Sequence, residues 1–332
     1  MVRRRDTDYP DGEFRSAFAS DLDAKYREKM VSHDLFTNQW YVTLVWVPER
    51  DLSQKFSGLT SRFRKSKKAG REVDEKSIRM LQDARRNVVA GLERYNPKIM
   101  SLYEHEGLYF SEQLEFLRLI GTLDEMRMPL VDGPIGGAVY LDRLLFGRET
   151  LEIRSAGNTK LGGILGIREY PASTKPGMLN ALLSAKFECV LAQSFSIMSK
   201  ADAKAKFSLK QGQMINANDS AFSQVEDLDH ALDDLESNRF IVGEHHLSLM
   251  VLGDDNQTLL DNLSEARRLL SESAMVAVRE DLALETAYWG IFPGNFKQRP
   301  RSGAITSKNF SSFSGFHTYP SGDKTSHWGV PV

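Results

Sequence analysis

Alternating apolar and polar positions predict a β-strand near the start of the chain. Residues 38–47 are rich in β-branched and aromatic side chains, and they place Trp40, Val42, Leu44 and Trp46 on one face. Such alternation is typical of a half-buried strand, and the proline that follows at position 48 would end it. We therefore expect a strand over 38–47.

Helical spacing replaces this alternation in the next part of the chain. Apolar residues recur three and four positions apart over 73–95, which predicts a long amphipathic helix that ends before Pro97. Residues 98–104 can form a short strand, and Ser111 can cap a second helix. The first unit is thus predicted to run strand, helix, strand, helix.

The second half shows the same alternation more clearly. Strands are predicted over 161–170, 187–198, 240–252 and 274–279, and helices are predicted over 176–185, 225–235 and 256–271. This order is that of a ferredoxin-like split βαβ unit with one extra helix.

The patterns predict an α+β or α/β sandwich built from two ferredoxin-like units. We expect antiparallel or mixed sheets with helices on one face. The predicted division is an N-terminal α/β subdomain over 1–145, a second ferredoxin-like subdomain over 146–291, and a Pro/Gly/Ser-rich connector over 292–332.

Composition narrows the function classes without naming one. The 332 residues include 43 Lys and Arg against 45 Asp and Glu, a net charge of −2, so a polycation built for nucleic acid is excluded. The single cysteine, Cys189, excludes a disulfide framework and a cysteine-rich zinc module. No apolar run approaches the roughly 18 residues of a membrane span.

A cluster of positive charge lies between the first predicted strand and the helix that follows. Its members are Arg62, Arg64, Lys65, Lys67, Lys68 and Arg71. Such a cluster can contact anionic lipid headgroups or an acidic partner, although a solvated linker explains it equally simply. Both interpretations stay open at this stage.

Two groups of residues resemble metal ligands. Asp254 and Asp255 lie where a strand meets a helix, so they can share a divalent cation or cap the helix, and the cap is the simpler reading. His245 and His246 are adjacent on a predicted strand, so their side chains point to opposite faces and cannot bind one ion. We expect no metal site in this chain.

Recognisable catalytic machinery is not found in the sequence. The run from Gly322 to Thr325 resembles the end of a phosphate-binding loop, but Asp323 stands where the loop needs glycine. A carboxylate there would repel the phosphate. We therefore expect neither catalytic nor cofactor-binding residues in this chain, and we do not expect it to be an enzyme by itself.

The C-terminal run carries the most specific signal. This run resembles the segment ahead of the motor domain in type IV secretion ATPases of the CagE/TrbE/VirB family. The shared order is Pro-Gly-Asn, Arg-Pro, Ile-Thr-Ser-x-Asn-Phe, His-x-Tyr-Pro-x-Gly and His-Trp-Gly. The matching positions are Pro293, Gly294, Asn295, Arg299, Pro300, Ile305, Thr306, Ser307, Asn309, Phe310, His317, Tyr319, Pro320, Gly322, His327, Trp328 and Gly329. Upstream, the Phe18-Ala19 and Leu22-Asp23 pairs are also similar to the family.

The resemblance implies a docking role at the cytoplasmic face of the bacterial inner membrane. Members of the family hydrolyse ATP with Mg²⁺ in a C-terminal RecA-like domain, and this chain is expected to be the N-terminal region that precedes that domain. Implied partners are other secretion subunits, among them inner-membrane channel components and companion ATPases, and further copies of the chain. Two alternatives stay open: a DNA-binding module of conjugation machinery, and a small metal-dependent enzyme using Asp254 and Asp255.

Overall fold

The structure is a computed structural model of the 332-residue chain. It describes residues 1–3, 14, 16–31, 36–47, 75–139, 142–155, 157–216 and 234–315. The strands are β1 (Val2–Arg3), β2 (Phe36–Thr37), β3 (Leu102–His105), β4 (Leu108–Ser111), β5 (Arg143–Phe146), β6 (Leu151–Arg154), β7 (Thr159–Glu169), β8 (Cys189–Ile197), β9 (Val242–Gly253), β10 (Val276–Arg279) and β11 (Gly303–Thr306).

Helices alternate with these strands. They are α1 (Ala17–Val31), α2 (Glu75–Gly91), α3 (Glu112–Thr122), α4 (Ile135–Val139), α5 (Asn180–Leu183), α6 (Lys200–Asn216), α7 (Asn256–Glu272), α8 (Leu284–Gly290) and α9 (Ser307–Ser312). Short 3-10 turns lie at Glu93–Tyr95 and Phe296–Gln298. No helix in the described ranges is long and apolar enough to cross a bilayer.

Seven strands, β5 to β11, form one antiparallel sheet. Strands β7 and β9 lie at its centre and pair with each other from Leu161 opposite Gly253 to Gly166 opposite Ser248. The outer edge of β7 pairs with β6 and then with β10, and the opposite edge of β9 pairs with β8 along nine residues. The fold is therefore mixed α+β with antiparallel sheets, as expected in outline.

Both faces of the large sheet are covered by helices, so the expectation of helices on one face is wrong. On one face, Leu249 and Val251 of β9 pack with Leu263 and Ala266 of α7. On the other face, Met250 and Leu252 of the same strand pack with residues of α3 and α8. A strand with a continuous apolar run can be buried on both sides, and residues 249–252 of β9 form such a run.

The predicted strand over 38–47 is the clearest error of the sequence reading. The structure assigns neither strand nor helix to 38–47, and Tyr41, Val42 and Trp46 are exposed. A high β-propensity describes how well side chains fit a pleated sheet, so it does not form a strand where no neighbouring strand pairs with it.

Several other elements match the sequence pattern. The Ser111 hydroxyl accepts a hydrogen bond from the Leu114 amide, which confirms the predicted cap of α3. The four strands predicted in the second half correspond to β7, β8, β9 and β10, within two residues at every end. Most of the helix predicted over 225–235 lies outside the described residues.

The predicted connector contributes to the sheet. Strand β11 pairs with β9 from Gly303 opposite His245 to Thr306 opposite Val242, and α9 follows it directly. The sheet also takes β5, at Arg143–Phe146, which lies across the boundary between the two predicted subdomains. The division of the chain at 145 and 291 stays a prediction.

Asp255 is the N-cap of α7. Its carboxylate accepts hydrogen bonds from the Thr258 amide at 2.9 Å and from the Thr258 hydroxyl at 2.8 Å. These bonds lower the pKa of Asp255, because they stabilise its charged form. The aspartate stabilises an orphan amide of the helix, as the simpler reading predicted.

We expect Asp255→Ala to lower the melting temperature by about 2–4 °C, because it removes the N-cap of a 17-residue helix. Asp255→Asn is the matched control and should stay close to wild type, since asparagine is also a good N-cap. Thermal unfolding followed by circular dichroism measures both. An equal loss in the two variants would contradict the cap and point to a role for the charge.

Candidate functional site

The candidate site is the region where residues 299–313 cross the large sheet. Polar side chains of four strands and their loops meet this segment there. We call this set the anchor network, and its members are Tyr170, Gln193, Glu244, His245, His246, Ser248, Glu280, Arg299 and Arg301.

His245 organises the network on one face of β9. The Tyr170 hydroxyl lies 2.9 Å from His245 Nδ1, and His245 Nε2 lies 3.2 Å from Gln193 Oε1. We assign Nδ1 as the acceptor and Nε2–H as the donor, which satisfies both contacts. The Gln193 amide then donates to the Phe313 carbonyl at 3.1 Å, so the chain of hydrogen bonds ends on the crossing segment.

Aromatic rings enclose His245. Its imidazole stacks on Phe313 with ring centroids 5.7 Å apart, and it also contacts Phe310 and Tyr170. Burial lowers the pKa of His245 to about 3 and raises the pKa of Tyr170 to about 12, because both charged forms would lose their hydration. His245 is therefore a neutral structural group at physiological pH.

His246 organises the opposite face, as expected for adjacent residues on a strand. Its Nδ1–H donates to the Arg301 carbonyl at 2.5 Å, and its Nε2 accepts from the Ser248 hydroxyl at 2.9 Å. Burial lowers the pKa of His246 as well. Because each histidine has its own partners on its own face, the pair forms two separate anchors.

Two arginines of the crossing segment complete the network. Arg301 forms an ion pair with the buried carboxylate of Glu280, with Nε and Oε1 2.6 Å apart. Arg299 donates to the hydroxyls of Ser194 and Ser196 at 3.2 Å each, and it lies 3.5 Å from Glu244. A buried carboxylate needs such a partner, so the Arg301 pair fixes the segment in place.

Other residues of the C-terminal motif also make internal contacts. Gly294 adopts φ +86°, a conformation that favours glycine, and the Asn295 amide donates to the Trp289 carbonyl. The Thr306 hydroxyl caps α9 by accepting from the Asn309 amide, and the Ser307 amide donates to the Ile241 carbonyl.

Apolar positions of the motif contribute to the same core. Ile305 is buried, and Phe310 stacks on Phe195 with ring centroids 4.8 Å apart. The strand opposite makes room for this stack, because a Cβ at Gly243 would lie 2.5 Å from the Phe195 ring. Pro300 lies between the two anchoring arginines.

The remaining predicted site residues lie outside the described part of the chain. They are the basic cluster Arg62, Arg64, Lys65, Lys67, Lys68 and Arg71, and the motif positions His317, Tyr319, Pro320, Gly322, His327, Trp328 and Gly329. Their assignments stay predictions.

The sequence reading missed several members of the network. No sequence motif marks the four that it missed, which are Tyr170, Gln193, Ser248 and Glu280. Their hydrogen-bond partners lie between 2 and 120 positions away in the sequence. The one available signal was polar residues in an apolar strand, at His245, His246 and Ser248, since a buried polar group requires a partner.

The geometry suits an anchor better than a reaction centre. His245 and His246 are buried and already hydrogen-bonded, and burial raises the pKa of the Cys189 thiol, which disfavours the thiolate. Within the described ranges, no group of three or more His, Cys, Asp or Glu side chains could bind a metal ion.

Comparison with known proteins gives two matches to family models. The model described as "CagE, TrbE, VirB family, component of type IV transporter system" matches residues 98–301. The model described as "Type IV secretion system ATPase VirB4/TrbE, N-terminal domain" matches residues 1–53. The anchor network lies within the first match, apart from the contacts with Phe310 and Phe313.

Curated proteins are similar along nearly the whole chain. Type IV secretion system protein virB4 of Bartonella henselae is 47% identical over 334 residues, which is 100% of this chain and 42% of the relative. Protein virB4 of Rhizobium radiobacter is 40% identical over 96% of this chain and 40% of the relative. The Brucella suis protein virB4 is 31% identical over 99% and 40%. The chain thus spans about two fifths of the length of these relatives.

The buried histidines predict a stability that falls with acidity. A group whose pKa is 6.5 when unfolded and about 3 when folded takes up its proton first in the unfolded chain, so folding loses stability as the pH falls below 6.5. For His245 this amounts to about 2 kcal/mol between pH 7 and pH 5. Urea unfolding at the two pH values measures it.

His245→Gln should remove most of that pH dependence, because glutamine does not titrate. His105→Gln, at a partly exposed position on β3, is the matched control and should keep the wild-type slope. An unchanged slope in His245→Gln would show that His245 takes up its proton in the folded protein as easily as in the unfolded chain.

Proposed function

Because this chain belongs to the CagE, TrbE, VirB family of type IV transporter components, we propose that it is the docking part of a type IV secretion ATPase. It links an ATP-driven motor to channel components of the bacterial inner membrane and works at the cytoplasmic face. The supporting observations are the family match, an exposed apolar surface and the anchored C-terminal segment.

The exposed apolar surface carries the docking proposal. It lies on the β3–β4 hairpin and the loop beside it, where the Leu130 amide donates to the Tyr109 carbonyl at 2.8 Å. Leu108 and Tyr109 are 61% and 59% exposed, and Leu130 and Val131 next to them are also exposed. We call these four residues the hairpin patch. Contiguous exposed apolar side chains are typical of protein interaction sites.

The anchor network supports the coupling part of the proposal. In the longer relatives, we propose, the segment matching 292–332 leads to a motor domain that binds ATP and Mg²⁺. Ion pairs and hydrogen bonds from Arg299 and Arg301 fasten the described part of that segment to the sheet. Movement of a motor would therefore pass to the sheet as one body rather than being absorbed by a loose linker.

Two finer assignments accompany this proposal. The order β10-β7-β9-β8, with helices after β7 and β9, supports a ferredoxin-like unit within 146–291. The N-terminal subdomain over 1–145 and the connector over 292–332 remain proposals of the same kind.

The two alternative functions have less support. The metal-dependent enzyme would need Asp254 and Asp255 as ligands, but the Asp255 carboxylate already caps α7. A DNA-binding module predicts DNA affinity that falls steeply with salt. The family match favours the secretion role over both.

Substitution in the hairpin patch should weaken docking. We expect Leu108→Ser with Tyr109→Ser to lower co-purification with inner-membrane subunits of the same secretion system at least tenfold, because tyrosine is enriched among the few residues that dominate interface energies and the change also removes the apolar area of leucine. The measurement is affinity capture from solubilised membranes, quantified against a dilution series.

Leu282→Ser is the matched control, because Leu282 is 92% exposed and lies outside the hairpin patch. It should co-purify as the wild type does. Undiminished capture of the double variant, with its folding verified by circular dichroism, would rule out the hairpin patch as the docking surface.

The basic cluster at 62–71 gives a separate prediction about the membrane. We expect the chain to sediment with vesicles containing phosphatidylserine at low salt, and Lys65, Lys67 and Lys68 together changed to Gln should reduce binding about 100-fold, at about 1 kcal/mol per charge. Lys200→Gln with Lys204→Gln is the control. Binding that is insensitive to the triple change would contradict membrane contact by this cluster.

A further inference from the structure

Strand β8 forms one side edge of the large sheet. Its peptide groups alternate in direction. Just beyond the two ends of β8, the Glu188 carbonyl accepts from the Leu252 amide and the Met198 amide donates to the Val242 carbonyl, and both partners belong to β9. Cys189 faces the other way and exchanges two hydrogen bonds with Met1, Met1 N to Cys189 O at 2.6 Å and Cys189 N to Met1 O at 3.1 Å. Odd-numbered residues of β8 therefore direct their backbone groups away from the sheet.

Four consecutive odd-numbered residues follow Cys189 along this edge. They are Leu191, Gln193, Phe195 and Ile197, and their outward amides and carbonyls make no backbone hydrogen bond to any residue of the described ranges. Proteins usually protect such an edge with charges, proline or a bulge. The sequence Cys-Val-Leu-Ala-Gln-Ser-Phe-Ser-Ile contains no charged residue and no proline, and its pairing with β9 is regular throughout.

The Met1 contact shows that the edge accepts an antiparallel neighbour. A pair of residues that exchanges both backbone hydrogen bonds is the narrow pair of an antiparallel ladder. The stretch from 191 to 197 continues the same edge with the same geometry. What it lacks within the described part of the chain is a second strand.

The free stretch is self-complementary about Ser194. We propose that β8 of a second copy of this chain pairs with it antiparallel, with the two-fold axis passing through Ser194 of both copies. Leu191 then faces Ile197 of the second copy, and Gln193 faces Phe195. All four outward residues form narrow pairs, which gives about eight backbone hydrogen bonds.

Side chains on both faces are compatible with this register. On one face, Ala192, Ser194 and Ser196 are small. Small side chains suit these positions, because opposite residues that share no hydrogen bond have the shorter Cα–Cα distance in an antiparallel pair. On the other face, Leu191 would cover Ile197 of the second copy, which is 70% exposed in one copy. No charged side chain of β8 is brought against another. The pairing stops before Cys189, so Met1 keeps its place.

A symmetric disulfide tests the register directly. Ser194 would face Ser194 of the second copy with Cα atoms about 4.5 Å apart, a separation that a disulfide spans. Ser194→Cys should therefore form a cross-linked dimer under mild oxidation, seen by non-reducing electrophoresis. Ser196→Cys is the matched control, because it would face Ala192 and should give at most a tenth as much dimer. The natural Cys189 is buried and should not contribute.

Sedimentation velocity of the full chain provides a test without a new cysteine. We expect a concentration-dependent dimer for the wild type. Ile197→Lys, at an exposed position, should raise the dimer dissociation constant at least tenfold, because it brings a charge against Leu191 of the second copy. Leu282→Lys is the control for adding a charge at an exposed leucine and should dimerise as the wild type does.

Several outcomes would overturn the proposal. One is a wild type that stays monomeric at the highest soluble concentration, and another is a dimer that Ile197→Lys leaves intact. Equal cross-linking at positions 194 and 196 would exclude the register. The proposal depends on the strand edge and not on the secretion role, so its failure would leave docking through the hairpin patch untouched, and the converse also holds.

Discussion

The burial of β9 on both faces is the constraint on which the rest of the structure depends. Its twelve residues pair with β7, β8 and β11, and its side chains fill the core on either side of the sheet. Such a strand has no solvent-facing side, so any polar residue in it must find a partner within the protein. His245, His246 and Ser248 impose that requirement, and the anchor network meets it.

The crossing segment is therefore part of the sheet. Its carbonyls accept hydrogen bonds from Gln193 and His246, and its arginines reach Glu280 and the serines of β8. Removal of the segment would leave buried donors and a buried carboxylate unpaired, which is costly in a medium of low polarity. The motif residues between 299 and 310 thus have a structural reason to be there.

Two surfaces of the described residues, the hairpin patch and the β8 edge, carry the interaction proposals. The hairpin patch presents exposed apolar side chains, whereas the β8 edge presents backbone groups at the side of the large sheet. They offer different recognition chemistry, one by apolar burial and one by strand pairing. A docking module that also pairs with a copy of itself would use both.

Local periodicity determined much of the fold by itself. Strands β7 to β10, helix α7 and the Ser111 and Asp255 caps follow from patterns within about fifteen residues, and the C-terminal motif identified the family. Strands β5 and β6 form a local hairpin that the sequence reading missed. Strand β11, the covering of both sheet faces and the partners of His245 and Glu280 were decided by tertiary structure, because their energies come from residues far apart in the sequence. Residues 38–47 show the converse: a strand-forming sequence stays irregular where no strand of the described ranges pairs with it.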